Sequence, residues 1–290
     1  MAEQNNTLGV WLMVAATFVF AMQDGLSRHL AEIYPIPMVV MLRYWFFALF
    51  VITLTARNSG GLRRAARSAY PLLQVFRGLL LVFEIWVTVL AFTLLGLVET
   101  HAVFACYPLL VAALSGPVLG EHVGWRRWTA IGIGFVGVLV ILQPGTGVFS
   151  PLAALPLLAS AMFALYGLLT RYVSRRDSAV TSFFYTGVTG AVAITGLGLW
   201  HWVPMAPVDW LWMGALCLTA VSSHWLLIQC YAVAEASAVQ PFAYLQLPFA
   251  SMVGVIAFGE TIRTNVAAGA AIVVAAGLFT LWRARQKSIA

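Results

Sequence analysis

Apolar residues run along this chain in blocks of about twenty, separated by short polar breaks. Ten blocks are legible, at 8–28, 35–56, 69–94, 100–119, 125–142, 151–173, 179–200, 208–231, 237–258 and 265–283. At 1.5 Å per residue, an α-helix of that length crosses a hydrocarbon layer of about 30 Å. The breaks carry turn chemistry: Tyr34-Pro35, Asn58-Ser59-Gly60-Gly61, Gln143-Pro144-Gly145 and Met205-Ala206-Pro207. None of them has room for a domain folded in water. The pattern predicts an all-α membrane protein with ten transmembrane helices.

Composition excludes the soluble alternatives. Of 290 residues, 62% are hydrophobic and 9% charged, where a soluble domain carries about 25% charged residues. The net charge of +6 comes from 15 Arg and one Lys, spread in short groups between the blocks. That distribution fits anchors facing anionic lipid and predicts no nucleic-acid partner. Placing the N-terminus in the cytoplasm puts twelve Arg/Lys in inner loops and the C-terminus, against Arg28 and Arg263 outside. Both termini are therefore expected in the cytoplasm. Residues 1–7 lack the basic start of a cleavable signal, so the first block is expected to stay as a membrane helix. Cys106, Cys217 and Cys230 lie inside apolar blocks without CxxC or histidine spacing, and are read as small hydrophobes. No phosphate loop, zinc signature or nucleophile elbow occurs, so no metal, cofactor or enzymatic activity is expected.

The chain also repeats itself. Leu97 to Glu121 and Ala236 to Glu260 each start after a polar break, carry a proline near the middle and end in Gly-Glu. Phe20-Ala21 and Ser27-Arg28 likewise correspond to Phe163-Ala164 and Thr170-Arg171. The unit is five helices, giving halves 1–142 and 143–290. Because five is odd, the second half enters the membrane upside down. Inverted repeats of this kind build transporters, with the substrate site near the midplane between halves.

Leu119-Gly120-Glu121 followed by Gly132, Gly134 and Gly137, and Phe258-Gly259-Glu260 followed by Gly269 and Gly277, close the two halves alike. With ten helices in about 300 residues, this resembles the drug/metabolite transporter superfamily, specifically its EamA-type members. Within that group it is most similar to the YddG-type exporters of aromatic amino acids. The resemblance implies a basket in which predicted helices 1, 3, 4, 6, 8 and 9 surround a central cavity. Helices 5 and 10 would lie outside, and substrate would move by alternating access.

Ionisable side chains inside a bilayer cost roughly 2.5–3.5 kcal/mol each, so Asp24, Arg43, Arg77, Glu84 and His224 each need a reason. Glu84 lies deep in the third block, two helical turns after Arg77, so the two share a face and a polar stripe. Glu84 is a candidate for the cavity wall. Arg77, nearer the cytoplasm, is either an inner gate or a lipid anchor. Asp24 and Arg43 either pair across the first hairpin, or Arg43 clamps a substrate carboxylate. The repeat sets His224 beside Glu84, where it binds substrate or protons or simply packs. His101 carries a weaker form of the same argument.

Pro108 and Pro248, at corresponding places in the halves, are candidate hinges or ordinary packing kinks. Most aromatic residues belong to interfacial belts. Trp86, Tyr166, Trp225 and Tyr231 lie deeper and are candidates for stacking on a substrate, while Tyr107 and Tyr244, beside the two prolines, are further candidates for the substrate site. The glycines of helices 5 and 10 serve packing within the bundle or a homodimer face. A monomer is the default.

The sequence reading is thus a secondary transporter of the bacterial inner membrane. It is expected to export a small metabolite, amino acids first and aromatic ones (Phe, Trp, Tyr) ahead of Thr and others. Export of cationic drugs or another metabolite is the alternative. An intramembrane enzyme and a channel are more distant ones.

Overall fold

The structure, a computed structural model, describes residues 5–57, 61–120, 124–142 and 151–289. Glu121, Asn58-Ser59-Gly60 and the Gln143-Pro144-Gly145 turn at the start of the second half lie outside the described residues. The described residues form twelve α-helices and no strand. They are α1 (Asn6–Ile33), α2 (Ile36–Arg57), α3 (Gly61–Ala66), α4 (Pro71–Phe104), α5 (Tyr107–Leu119), α6 (Trp125–Leu142), α7 (Ala154–Val173), α8 (Ala179–Trp200), α9 (Asp209–Val233), α10 (Ala236–Ala243), α11 (Gln246–Phe258) and α12 (Thr264–Ile289). Six of these segments (α1, α2, α4, α7, α8 and α9) are long and apolar enough to cross a membrane, and four shorter apolar helices accompany them.

Local chemistry fixes the ends. Asn5 caps α1 by accepting from the Leu8 amide at 2.9 Å, and Ser178 caps α8 by accepting from Thr181 at 3.1 Å. Pro71 opens α4, where its missing N–H costs nothing. Gly120 and Gly259 close α5 and α11 in the left-handed conformation.

Two predicted helices are broken, and the breaks correspond. The block 100–119 is interrupted at Ala105-Cys106, and 237–258 at Tyr244-Leu245. The offset that sets Glu121 against Glu260 carries one break onto the other. The predicted gap between the third and fourth blocks narrows to a single residue. The α4 assignment runs through it, with Gly96 at φ 82°, ψ 172° between two helical stretches. That region of backbone space is open essentially to glycine alone.

The most extensive helix pairings are α1 with α9, α2 with α8, α4 with α7, and α6 with α12. Each joins an element of the first half to one of the second. In the α6–α12 pair the backbones meet at Gly137 and Gly269: a Cβ on Gly137 would lie 2.8 Å from the Gly269 carbonyl oxygen. These glycines are therefore used within the bundle. The interior between the other pairs is filled by large side chains, among them Tyr44, Phe47, Phe92, Tyr166, Phe183 and Tyr231.

Candidate substrate-binding site

A cavity opens between α1, α2, α4, α7, α9 and α11, its roughly 400 Å³ of atom-free space running out into open solvent. Its wall carries Phe20, Phe92, Phe104 and Phe163, and between them Gln23, Asp24, Ser27, Arg43, Glu84, Thr88, His101, His224 and Gln246. The contributing segments include all six that the family resemblance implied. Arg43, from the second predicted helix, is an addition.

The polar groups fall into three sets. Arg43 Nη2 donates to His224 Nε2 at 3.0 Å. A guanidinium only donates, so Nε2 is the acceptor and the ring proton sits on Nδ1. Neither His224 Nδ1 nor Arg43 Nε has a hydrogen-bond partner among the described residues, although Arg43 is only 2% exposed and His224 1%. In the second set Thr88 Oγ1 donates to Glu84 Oε1 at 2.6 Å, one turn along the same helix. In the third, Asp24 Oδ2 lies 3.1 Å from His101 Nε2, close enough for an ion pair but without hydrogen-bond geometry, and accepts from Gln246 Nε2 at 3.2 Å. The Gln246 Oε1 and Ser27 Oγ atoms are also without partners. A buried polar atom left unpaired costs about 1–3 kcal/mol, and here several of them share one wall.

The aromatic part is layered. Phe20 meets Phe163 edge-on at 6.1 Å and His224 edge-on at 5.2 Å, while Phe92 stacks on His101 at 5.3 Å. Tyr107 and Tyr166 stand behind Phe163, at 5.0 and 6.0 Å between centroids.

Of the residues singled out in the sequence, Glu84, Arg43 and His224 meet at the cavity wall. Tyr107 and Tyr166 are buried one layer behind it. Trp225 packs at 5.0 Å on Phe183, away from the cavity, and Trp86 is half-buried. Tyr244 belongs to a separate apolar cluster with Leu109, Leu247 and Val273, at the break before α11. Pro108 and Pro248 each lie in the first turn after a break, in α5 and α11.

Two sequence expectations need correction. Asp24 and Arg43 make no direct bond, because His101 and His224 lie closer and take those roles. Nor do Arg77 and Glu84 share one polar stripe. Fully buried Arg77 bonds Gln74, Thr170, Thr186 and the Ser182 carbonyl, pinning α4 to α7 and α8, with its guanidinium 5.1 Å over the Tyr166 ring. Gln23, Ser27 and Thr88 were missed: short polar residues in apolar helices are ordinary, and only their convergence marks them.

Beyond Asp24 along α1, Glu260 crosses to the Gly96 break. Its carboxylate accepts from the Leu97 and Val98 amides at 2.8 and 2.7 Å and pairs with Arg28, which also lies 4.1 Å over the Phe258 ring. The N-terminus of the helical stretch that carries His101 is thus capped by a carboxylate from the end of α11.

Residues 7–143 match the EamA-like transporter family. A riboflavin transporter of Vibrio cholerae is 29% identical over 285 residues, covering 96% of this chain and 94% of its own length. A riboflavin transporter of Rhizobium johnstonii is 29% identical, covering 94% and 91%. An S-adenosylmethionine uptake transporter of Rickettsia prowazekii is 22% identical, covering 96% and 94%. One crystal structure superposes with a TM-score of 0.73 at 15% identity, over 97% of this chain and 99% of that one, which is a likeness of fold.

Proposed function

Because the chain belongs to the EamA-like transporter family, we propose that it carries a small, flat, heteroaromatic metabolite by alternating access, with riboflavin the first candidate. It is a multi-pass membrane transporter of small metabolites and not an enzyme. The observation that carries the reading is the set of unpartnered buried atoms on a phenylalanine-lined wall. The Arg43 Nε–H and His224 Nδ1–H donate, the Gln246 Oε1 accepts, and the Ser27 hydroxyl can do either. A conjugated ring with donors and acceptors along its edges satisfies them while the phenylalanine faces take its plane. The relatives named for riboflavin favour that ligand over a cationic one such as S-adenosylmethionine.

Ten spans in two inverted halves, 1–142 and 143–290, with both termini in the cytoplasm of a bacterial inner membrane, complete the reading. The corresponding breaks at Ala105-Cys106 and Tyr244-Leu245 support the repeat, and the pairing of α1 with α9 and of α7 with α4 supports a two-fold between halves. Export of aromatic amino acids is the second reading. The observation that favours it is Arg43, a carboxylate partner set beside the phenylalanine rings. In either case the substrate gradient or a coupled ion supplies the energy.

The test is counterflow. Proteoliposomes are preloaded with unlabelled riboflavin, S-adenosylmethionine, Phe, Trp, Tyr, Thr or buffer, and uptake of labelled riboflavin is followed. Saturable uptake stimulated only by internal riboflavin is expected. Arg43→Gln loses a charged donor worth about 1.5–3 kcal/mol, so its uptake efficiency should fall roughly tenfold to a hundredfold. Stimulation by aromatic amino acids instead selects the second reading. Riboflavin uptake no greater than in empty vesicles rejects the first.

A further inference from the structure

We infer that the Asp24–His101 pair is a proton-binding site that couples proton movement to transport. The inference rests on the carrier reading above but on different residues. Asp24 is 6% exposed and His101 3%, and their Oδ2 and Nε2 atoms are 3.1 Å apart. With an imidazolium the pair is neutral. With a neutral ring it leaves one negative charge in a buried site, where an uncompensated carboxylate costs several kcal/mol. Giving up the proton therefore requires rearrangement or water.

The position of the pair makes that cost matter. Asp24 lies on α1. His101 lies on the short stretch of α4 beyond the Gly96 break, and Gln246, also bonded to Asp24, opens α11 directly after the Tyr244-Leu245 break. The pair and Gln246 thus join α1 to two of the segments that follow backbone interruptions. Gln23 extends the cluster to α9, donating to Asp24 Oδ1 at 3.5 Å and accepting from Ser223 at 2.8 Å.

The other charged or imidazole groups facing Asp24 are Arg43 from α2, Glu84 from α4 and His224 from α9, all on the same cavity wall. Among the ionisable side chains, α10 and α11 contribute none. The Cys217 and Cys230 thiols point instead to the Leu42 and Gly9 carbonyls. Arg43 is held by His224 and Glu84 by Thr88, so the carboxylate–imidazole contact at the cavity wall is this pair. The step is simple: Nε2–H of His101 gives its proton to water on the side to which the cavity opens, and regains one from the other side.

The experiment uses the full chain in vesicles containing a trapped pH dye, with the membrane potential clamped. Riboflavin should change the internal pH. For one proton per neutral solute, a gradient of one pH unit should support accumulation of up to about tenfold. Asp24→Asn and His101→Gln should lose both effects, at whatever rate of counterflow each variant retains. Wild-type counterflow without proton movement overturns the inference and leaves the carrier reading intact. Loss of counterflow in both variants also overturns it, placing the pair in the substrate site. A second measurement needs no substrate: the ring nitrogens of His101, followed by NMR in nanodiscs, should gain and lose a proton as pH is varied, and should respond differently in Asp24→Asn. A ring that does not titrate rejects the inference even if riboflavin is the wrong solute.

Discussion

Alanine at position 96 is expected to be among the most damaging single-methyl changes in the protein. Gly96 sits at φ 82°, ψ 172°, and an added Cβ would lie 2.6 Å from Glu260 Oε1. The backbone conformation alone costs a side chain about 1–3 kcal/mol. Displacing the carboxylate adds the loss of its bonds to the Leu97 and Val98 amides, each worth about 1.5–3 kcal/mol as a bond to a charged group. Added together, these come to about 4–9 kcal/mol. Gly120→Ala is the control. Gly120 also has positive φ, at 70°, but open space where the Cβ would go, so only the backbone cost of about 1–2 kcal/mol applies. Unfolding of membrane proteins is often irreversible, so the readout is the temperature at which half the protein is lost from the monodisperse peak in detergent. Equal losses for the two variants would show that the Glu260 cap does not hold the break.

Arg77→Ala is the second large effect. Its guanidinium holds groups from α4, α7 and α8 at full burial. Truncation leaves the Gln74 Oε1 and Ser182 carbonyl without this donor, and a void beneath Tyr166. Breaking a buried charged network in this way costs about 3–5 kcal/mol. Arg77→Lys should recover less than half, because an ammonium offers donors from one point and not from a planar fork. A variant that keeps its thermal midpoint but loses transport would return Arg77 to the gating role read from the sequence.

Much of the architecture was legible because lipid simplifies the code. Blocks of twenty apolar residues announce helices, while the arginines between them and the repeated Gly-Glu endings carry the expectations of sidedness and of two related halves. The breaks inside the fourth and ninth blocks were only half legible. Pro108 and Pro248 signal a bend, but the interruption falls two or three residues earlier, at Ala105-Cys106 and Tyr244-Leu245, where nothing in the side chains forbids a helix. At the site, charge was legible and partnership was not. Glu84, Arg43 and His224 stood out as costly residues, whereas the choice of His224 over Asp24 as Arg43's partner depends on which helices touch. The deep aromatics misled for a related reason: depth along a helix does not say which face it turns, so Trp225 packs on Phe183 and the phenylalanines line the cavity.

The pairing of α1 with α9, α2 with α8 and α6 with α12 also sets a timetable for synthesis. A ribosome that has inserted the first five blocks has completed none of these pairs. Until α9 emerges, Arg43 waits in the bilayer without His224, and until α7 and α8 emerge, Arg77 waits without Thr170 and Ser182. The glycine face of α6 stays open to lipid until the last helix of the described chain has been threaded in. The nascent first half therefore holds arginines whose partners on later helices are not yet made.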